Sequence, residues 1–553
     1  MPRTRAPMWR TALTATATLA VTLTTLAPAH AAGPARPAPT GAAPAPTTTA
    51  TPAPATGSEF YTNPHSTTLE AAQKLTGQAR ADAQLLGSVP SADWFTGGTP
   101  QEVEAEVDRL VTAAAAAHQE PVLAAYNLPF RDCAQYSSGG AADTAAYNAW
   151  IDGFAAGIGD RSATVILEPD GLGIIPHYTS LDGTTDWCQP AEADPATAAA
   201  NRYEQLNHAV DALAALPDVK VYLDGTSSAW LTVGEISDRL VKAGVQRATG
   251  FFLNASNYQF TENGTAYGTW VSSCIAYATE VVVGDYASCG NQWWNGGPAN
   301  DWQGVAMSQY GRWSSTATDP ALNTAGIESR YASILGDVEP TTTFVIDTSR
   351  NALGPWQYPP DVYPAHEDWC NPPDRGLGVR PTTETGHPLV DAYLWIKVPG
   401  ESDGQCFRGT PGPLDPARGM ADPAAGQWFT QQARELISLA VPELQPLTCH
   451  VKVHGTAVGG PKHRGFVAAL TVENRGTQRL NPWQLSWEFE GDQRVKAVTG
   501  GTFVQRGSAV TVTAPRGRAA VLAPGKKATV VVSGTGDAQA PLQFRLNGQA
   551  CTS

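Results

Sequence analysis

Residues 163–173 read ATVILEPDGLG, an apolar and β-branched run that ends at two carboxylates, Glu168 and Asp170, on either side of a proline. Acidic side chains at the C-terminal end of a buried strand are typical of parallel α/β barrels, which carry their chemistry at that mouth. A strand end with a Pro-Asp turn would explain a single occurrence equally well. Five further apolar runs, however, also lead into polar groups, among them Tyr126, Asp224, Asn254, Asp347 and Lys397. The recurrence predicts a barrel with its site at one mouth.

Ala- and Leu-rich helical stretches, such as residues 101–118, 196–216 and 233–244, alternate with these runs. The alternation predicts one large α/β domain over residues 58–447. Two segments interrupt it: residues 280–325 are rich in Gly, Asn and Trp, and residues 404–427 are rich in Gly and Pro. Because loops this long in a compact domain are usually lids or binding walls, we expect both to border the site.

The first 31 residues combine three arginines, an apolar core and a small-residue cleavage site, Ala29-His30-Ala31, which is typical of a secretory signal peptide. Residues 32–57 are rich in Pro, Thr and Ala and are predicted to be a linker. The apolar core is too short and too rich in Thr to span a membrane, and no later apolar run is long enough. We therefore expect a secreted, extracellular protein with no membrane partner.

The formal net charge is −15, which disfavours nucleic acid as a partner. All eight cysteines follow residue 31 and suit an oxidising exterior. The sequence contains no C-x-x-C or H-E-x-x-H motif, so we expect no metal or other cofactor. The protein is expected to act as a monomer. Sixteen tryptophans fit either core packing or a sugar-binding cleft, because sugars bind flat aromatic faces.

Short alternating runs separated by Gly and Asn replace this pattern from residue 448 to 553 and predict an all-β sandwich. Cys449 and Cys551 lie at its two ends and are predicted to pair. This region has 13 Lys and Arg against 5 Asp and Glu, a net charge of +8, whereas the rest of the chain is acidic. An anionic polymer is therefore one conceivable ligand, and solubility is the simpler explanation.

Seven motifs along the barrel region resemble glycoside hydrolase family 6, secreted cellulases that invert the anomeric centre. In order, they are YNLPFRDC (126–133), VILEPDGLG (165–173), VYLDGTSSAW (221–230), FFLNASNY (251–258), FVIDTSRN (344–351), DWCNPPDRGLGVRPTTETG (368–386) and AYLWIKVPGESDG (392–404). The resemblance implies a distorted, seven-stranded (β/α) barrel followed by the sandwich. It also implies cellulose or another β-1,4-glucan as the substrate.

Inverting hydrolysis needs a protonated acid on one side of the glycosidic bond and a base for water about 6.5–9.5 Å away. Asp170 is the candidate acid, and the resemblance implies that Asp132 keeps it protonated by like-charge repulsion. Asp403 is the candidate base, which Arg350 and Lys397 would keep ionised. The resemblance also implies an alternative route, in which the water is activated through a serine, here Ser138, and Asp132. A structural ion pair is the alternative for each residue.

The same matching implies further contacts with the sugar chain. Tyr126 should press on the sugar at the cleavage point, and Arg375 and Glu401 should bind glucose hydroxyls. Asp224 should support the site rather than transfer protons. The aromatic residues expected to stack on glucosyl faces are Trp94, Trp230 and Trp369. Two family disulfides are implied, Cys133–Cys188 and Cys370–Cys406, and a third, Cys274–Cys289, would staple the first insertion.

Two departures from the family patterns stand out. Ser227 replaces a substrate-contacting His, which should weaken binding near the scissile bond or change substrate preference without removing the acid or the base. The sandwich resembles a family 2 carbohydrate-binding module, but the positions of its platform tryptophans hold residues 461–464, Thr499 and Arg518. Trp483 and Trp487 alternate on one strand and are predicted to be core residues. We therefore predict weak or no binding to crystalline cellulose.

Three functions remain open from the sequence. The two insertions favour a cellobiohydrolase that releases cellobiose from non-reducing chain ends, because long lids roof a cleft into a tunnel. An endoglucanase with an open cleft is the alternative. A non-catalytic glycan-binding protein is an alternative of another class, which the retained carboxylates at the barrel mouth disfavour.

Overall fold

The computed structural model describes residues 60–365, 367–458, 464–489, 491–537, 540–541 and 543–553. The predicted signal peptide and linker lie outside the described residues. Across these described ranges, every helix is too short or too polar to cross a membrane.

Seven parallel strands form one sheet whose spatial order follows the chain. The two edges of the sheet approach each other. Just before the first strand, the N–H of Ala92 donates to the carbonyl of Trp395, just after the seventh strand, at 2.9 Å. This curled sheet confirms the predicted seven-stranded barrel. Six of its strands correspond to the six apolar runs, and the short first strand is the seventh. The strands are β1 (Asp93–Phe95), β2 (Val122–Ala125), β3 (Ala163–Leu167), β4 (Val219–Asp224), β5 (Gly250–Leu253), β6 (Thr343–Asp347) and β7 (Val390–Leu394).

Helices connect and flank these strands. Their sequences contain the expected signals: α3 begins at a capping box between Thr99 and Glu102, with Pro100 in its first turn. The helices are α1 (Thr67–Lys74), α2 (Gly77–Leu86), α3 (Pro100–Ala117), α4 (Thr144–Ile158), α5 (Ala198–Ala214), α6 (Val233–Lys242), α7 (Thr261–Ala276), α8 (Ala325–Leu335) and α9 (Thr430–Ser438).

Alternate residues of each strand enter two separate cores. On β3, Val165 and Leu167 belong to a large cluster shared with the helices, while Ile166 belongs to a smaller cluster with Tyr222 and Phe252 from the neighbouring strands. Both faces of the sheet are therefore apolar up to the strand ends. Carboxylates appear at the last residues of β4 and β6, Asp224 and Asp347, and further polar side chains follow in the loops, which fixes the position of the site.

The C-terminal region consists of two antiparallel sheets, in the orders β12-β13-β10-β15-β16 and β11-β14-β9-β8. Trp483 and Trp487 are 2% and 4% exposed, which confirms that they are core residues. The sequence pattern misses β11 and β12 because most of their residues are exposed. The strands are β8 (Cys449–Val458), β9 (Gly465–Asn474), β10 (Gln484–Glu488), β11 (Arg494–Thr499), β12 (Thr502–Arg506), β13 (Ala509–Thr513), β14 (Lys527–Thr535), β15 (Phe544–Leu546) and β16 (Gln549–Cys551).

Candidate active site

The turn after β3 carries two carboxylates, Glu168 and Asp170, whose surroundings differ. Glu168 and Asp170 both have left-handed backbone conformations, with φ of 55° and 63°, which non-glycine residues rarely adopt outside strained or functional sites. The Glu168 carboxylate is buried and accepts hydrogen bonds from the N–H groups of Asn127 and Leu128, at 2.9–3.1 Å. Glu168 therefore fixes the turn after β2, while Asp170 faces a cleft of about 670 Å³.

Asp170 is held in conditions that favour its protonated form. Among the described residues, no side-chain or backbone donor forms a hydrogen bond with its carboxyl group. Burial raises the pKa of Asp170 well above its usual value, and the nearby carboxylates of Asp224, Asp132 and Asp403 raise it further, in that order. The effect of Asp132 has the predicted direction, but burial and Asp224 contribute more than it does.

Asp224 lies at the end of β4, behind the turn that carries Asp170. Its carboxylate is 3% exposed and accepts from the N–H groups of Leu172, Gly173 and Thr226, at 3.2, 3.0 and 2.9 Å. Burial raises the pKa of Asp224 to about 6, and these three donors oppose that rise, whereas no described donor opposes it at Asp170. Asp170 is therefore the better holder of the proton. Asp224 lies behind the residues that line the cleft, and its supporting role stays a prediction.

Asp403 has the opposite surroundings. Its Oδ2 accepts from Arg350 Nη1 at 2.9 Å, from the Tyr258 hydroxyl at 3.1 Å and from the N–H of Asn371 at 3.0 Å. The Lys397 ammonium lies 3.6 Å from Oδ1. Burial alone would raise the pKa of Asp403, but Arg350 and Lys397 outweigh it and the pKa is lowered. The ion pairs implied by the resemblance are therefore present.

Asp132 follows β2 and borders the same cleft. Burial raises its pKa to about 6, against the opposing effects of the Ser137 N–H and of Arg131. The hydrogen bond to its Oδ2 comes from the backbone N–H of Ser137, at 2.7 Å. Ser138 lines the cleft as predicted, but its own N–H donates to the Gln135 carbonyl at 3.2 Å. The role of Ser138 in activating the water therefore stays a prediction.

Most of the predicted sugar-binding residues line the cleft. Trp94 meets Tyr126 edge-on with ring centroids 5.4 Å apart, and its indole N–H donates to the Ile396 carbonyl at 2.8 Å. Trp230 packs over Gly173, where a Cβ would lie 2.4 Å from the indole ring, so this position requires glycine. The predicted binding residues that border the cleft are Trp94, Tyr126, Ser138, Trp230, Trp369, Lys397 and Glu401, and Ser227 borders it too.

Arg375 is the exception among the predicted binding residues. Its guanidinium donates to the carbonyls of Pro373, at 3.0 Å, and of Gly354, and the residue does not border the cleft. The prediction that Arg375 binds glucose hydroxyls is therefore not supported by its position. Its donors instead join the segment after β6 to the segment before β7.

Two residues that the sequence analysis did not single out complete the surroundings of Asp403. Tyr258 and Asn371 both stand inside the quoted motifs, but nothing in the local pattern shows that they meet one carboxylate. The Asn371 amide nitrogen donates to Ser402 Oγ, the Gly404 carbonyl and Asp422 Oδ2, each at 2.9 Å. Its amide oxygen accepts from the Asp403 N–H, also at 2.9 Å.

The two insertions contribute little side-chain surface to the cleft. Gln309 is the contact from residues 280–325, and Ala425 and Gly426 are those from residues 404–427. The disulfides that hold these and neighbouring loops match all four predicted pairs: Cys133–Cys188, Cys274–Cys289, Cys370–Cys406 and Cys449–Cys551.

One cluster near the second insertion has the spacing of metal ligands, with Cys406, Asp415 and Asp422 within 4.8 Å of one another. The Cys406 sulfur belongs to a disulfide, and Asp415 forms a two-point ion pair with Arg408 at 2.8 and 2.9 Å. Both are fully committed to other partners. The donor set therefore does not fit a resident metal ion.

The sandwich surface lacks the aromatic platform of its family wherever the structure describes it. Thr499 and Arg518 are exposed at two of the expected positions, and Arg464 pairs with Asp537 at 2.8 Å. Residues 461–463 lie outside the described residues. Both tryptophans of the sandwich are buried, so no described indole is available to a ligand there.

Comparison with known proteins agrees with this site. The family "Glycosyl hydrolases family 6" matches residues 55–440, and "Cellulose binding domain" matches residues 457–551. Endoglucanase A of Thermobispora bispora is 30% identical over 474 residues, which cover 83% of this chain and 85% of the relative. A probable 1,4-beta-D-glucan cellobiohydrolase C of Neosartorya fischeri is 28% identical over 418 residues, covering 70% and 78%.

Among solved structures, the endoglucanase Cel6 of Mycobacterium tuberculosis is 31% identical, with a TM-score of 0.47, and the match covers 68% of this chain and 95% of that one. The family match spans more than half of the chain and includes every motif on which the site was built. The chain therefore belongs to glycoside hydrolase family 6, as a cellulase that carries a C-terminal cellulose-binding domain.

Proposed function

We propose that this cellulase hydrolyses β-1,4-glucosidic bonds with inversion, with Asp170 as the acid and Asp403 as the base. The observation that carries the proposal is that two aspartates at one cleft have pKa values shifted in opposite directions. Burial and like charges raise the pKa of Asp170, whereas Arg350 and Lys397 lower that of Asp403. When the surroundings raise the pKa of one carboxyl group and lower that of another, the first is suited to act as the acid and the second as the base.

In this mechanism the Asp170 proton is transferred to the glycosidic oxygen as the bond to the anomeric carbon breaks. Asp403 removes a proton from the water that attacks the opposite face of that carbon. Trp94 and Tyr126, which meet edge-on, together present an apolar surface on which the sugar can pack. Glu401 and Lys397, which border the same cleft, are suited to bind its hydroxyl groups.

A second route to the water, through Ser138 and Asp132, has support of its own. With a pKa of about 6, Asp132 could accept a proton near neutral pH. Asp403, however, is ionised over a much wider pH range, because two cations stabilise its charge. We therefore favour Asp403 as the base and Asp132 as the carboxylate that assists Asp170.

We further propose that the enzyme acts as a cellobiohydrolase from non-reducing chain ends. The support is a contact between the loop after β2 and the second insertion, both of which contribute residues to the lining of the cleft. Tyr136, from the loop after β2, accepts a hydrogen bond from the N–H of Phe407 at 3.3 Å, and their rings lie 6.2 Å apart. A Cβ at Gly404 would lie 2.4 Å from the Tyr136 Cβ. This closed contact favours a roofed cleft, into which a chain end can enter.

Endo-acting cleavage is the alternative, and the names of bacterial relatives favour it. Four relatives, including the one from Thermobispora bispora, are named endoglucanases. The roof consists of a few contacts between loops, so opening them would expose an internal stretch of a glucan chain. The two modes differ in their products, which makes them separable by experiment.

We infer that the protein is secreted, because four disulfides suit an oxidising exterior and residues 1–31 have the pattern of a signal peptide. Its domain order would then be signal peptide, linker, barrel and sandwich. We also infer that the sandwich binds crystalline cellulose weakly, because its described platform positions hold Thr499 and Arg518.

The test is a time course on amorphous cellulose that counts soluble and insoluble new reducing ends. The Asp170→Asn variant removes the acid, and Asp160→Asn, at an exposed aspartate after α4, is the matched control. We expect mostly soluble cellobiose from the wild type and the control, and none from Asp170→Asn. Activity of Asp170→Asn equal to the wild type would refute the mechanism. Many insoluble new reducing ends would show endo-acting cleavage and contradict the exo assignment. If the wild type gave no products, a non-catalytic glycan-binding protein would be favoured.

A further inference from the structure

Trp187 borders the cleft but has no part in the proposed mechanism. Its side chain is 55% exposed, whereas Trp94, Trp230 and Trp369 in the same cleft are half-buried. Within the described ranges, it has no aromatic stacking partner and no hydrogen bond to its indole N–H. A flat apolar face that is exposed at the edge of a substrate cleft is available to stack on a bound ligand.

The segment that carries Trp187 is held firmly on both sides of this residue. Cys188 is bonded to Cys133, and its carbonyl accepts from the His177 N–H at 2.8 Å. On the other side, the N–H of Asp186 donates to the Tyr178 carbonyl, also at 2.8 Å. The backbone at Trp187 is therefore ordered before any ligand arrives, which lowers the entropic cost of binding through its ring.

A buried arginine connects this segment to the catalytic turn. Arg239 is fully buried and pairs with the Asp186 carboxylate at 3.1 Å through Nη2. Its Nη1 donates to the carbonyl of Leu172 at 2.8 Å, next to Gly173, which Trp230 covers. Trp187 is thus tied to the same part of the cleft wall as Trp230, and it is the more exposed of the two.

We propose that Trp187 is an outer glucosyl platform, which stacks on a glucose unit of the chain beyond the unit held at Trp230. The proposal rests on the proposed function, since it takes a β-1,4-glucan as the ligand. An indole face matches the apolar face of a pyranose ring, and a rigid backbone presents it at a fixed position. Such a platform adds affinity only when the chain is long enough to reach it.

The test compares Trp187→Ala with Trp302→Ala across cello-oligosaccharides of increasing length. Trp302 is the matched control because it is 51% exposed and stacks on Trp294, but does not border the cleft. We expect Trp187→Ala to lower kcat/KM for the longest oligosaccharide by about three- to tenfold, the worth of one aromatic contact. The shortest cleaved oligosaccharide should be unaffected, Trp302→Ala should match the wild type throughout, and Trp187→Phe should restore most of the loss.

Calorimetric binding of cellohexaose, with the same substitutions in the Asp170→Asn background, separates this proposal from the proposed function. If the wild type cleaves no oligosaccharide, the mechanism fails, while a weaker affinity caused by Trp187→Ala still supports the platform. Equal loss at every chain length would assign Trp187 a structural role and overturn the proposal. Binding and kinetics indistinguishable from those of Trp302→Ala would also overturn it.

Discussion

The substitution Arg350→Gln tests the assignment of Asp403 as the base. The Arg350 guanidinium is fully buried, and its Nη1 donates to Asp403 Oδ2 at 2.9 Å. Its Nη2 donates to the Ser256 carbonyl at 2.7 Å. Glutamine retains a hydrogen-bonding amide but removes the positive charge, so the main change is in the electrostatics of Asp403.

The magnitude follows from the burial of the pair. An opposite charge within about 4–6 Å lowers the pKa of a carboxyl group by about 1–3 units, so its loss should raise the pKa of Asp403 by that amount. In the wild type this pKa is below the ordinary value of 3.8, and the ionised base is lost only in more acidic solution. The acid limb of the kcat/KM profile should therefore move to higher pH by about 1–3 units in Arg350→Gln.

Stability should change as well. Breaking a buried ion pair by removing one partner costs about 3–5 kcal/mol in the free energy of unfolding. Because the folded-state pKa of Asp403 is lowered, its contribution to stability is present above about pH 3.9, the usual pKa of an aspartate, and is lost as the pH falls through the lowered value. Arg350→Gln should therefore lose most stability near neutral pH and little in strongly acidic solution.

Arg408→Gln is the matched control, because it breaks a second buried arginine–aspartate pair. Arg408 and Asp415 are both fully buried, with contacts of 2.8 and 2.9 Å. We expect a similar loss of stability from this variant but no movement of the acid limb. The assays are kcat/KM on a soluble cello-oligosaccharide from pH 3 to pH 9, and denaturant unfolding of each variant.

One result would refute the assignment directly. If the wild-type acid limb lies near pH 6 and does not move in Arg350→Gln, the titrating base has the pKa of Asp132, not of Asp403. The route through Ser138 and Asp132 would then replace the one proposed above. A shift of equal size in Arg408→Gln would instead mean that loss of stability, not charge, moves the limb.

Three further predictions concern the acid, the network behind the base, and the sandwich. Asp224→Asn should move the alkaline limb, which reports Asp170, to lower pH by about one unit, because it removes a neighbouring negative charge. An unmoved limb would show that Asp224 does not contribute to the raised pKa of Asp170. Asn371→Ala removes several buried hydrogen bonds and should cost about 3–5 kcal/mol in denaturant unfolding, with a lower kcat; a loss below about 1 kcal/mol would show that water replaces the amide. Introducing tryptophan at both Thr499 and Arg518 should increase retention on crystalline cellulose about tenfold in a pull-down, and unchanged retention would show that the missing platform is not the limiting feature.

Local sequence pattern was sufficient for the strands and for the residues at their ends. The apolar run before Asp170 predicts a buried strand, and the chain direction then places its carboxyl group at the barrel mouth. The same reasoning places Tyr126 and Lys397 at that mouth. Each of these inferences needs only the residues next to it in the chain, which is why they hold.

Contacts between distant segments could not be obtained in this way. Asn371 holds Asp403 across 32 residues, and Asp422 across 51. The pattern of apolar and polar residues does not indicate either of these contacts. Trp187 illustrates the same limit, because its exposure depends on how a disulfide-bonded loop lies against α6.

Loops also shift a prediction by small distances that matter chemically. The backbone N–H of Ser137 holds Asp132 through a tight turn, a contact that the motif does not indicate. Arg375 lies in a matching motif, yet its guanidinium turns toward two backbone carbonyls. A motif fixes the neighbourhood of a side chain, whereas its rotamer depends on which acceptors the folded loops provide.

The same distinction explains how the cleft can use two aspartates for opposite tasks. A sequence motif gives Asp170 and Asp403 the same side chain, with the same pKa in water. The fold then buries Asp170 without a donor and surrounds Asp403 with a guanidinium, an ammonium, a hydroxyl and a backbone N–H. Because those donors come from four separate segments of the chain, the base depends on the assembled barrel more strongly than the acid does. Mild unfolding of the loops should therefore abolish the function of Asp403 first, and inactivation should precede loss of the barrel's helical signal.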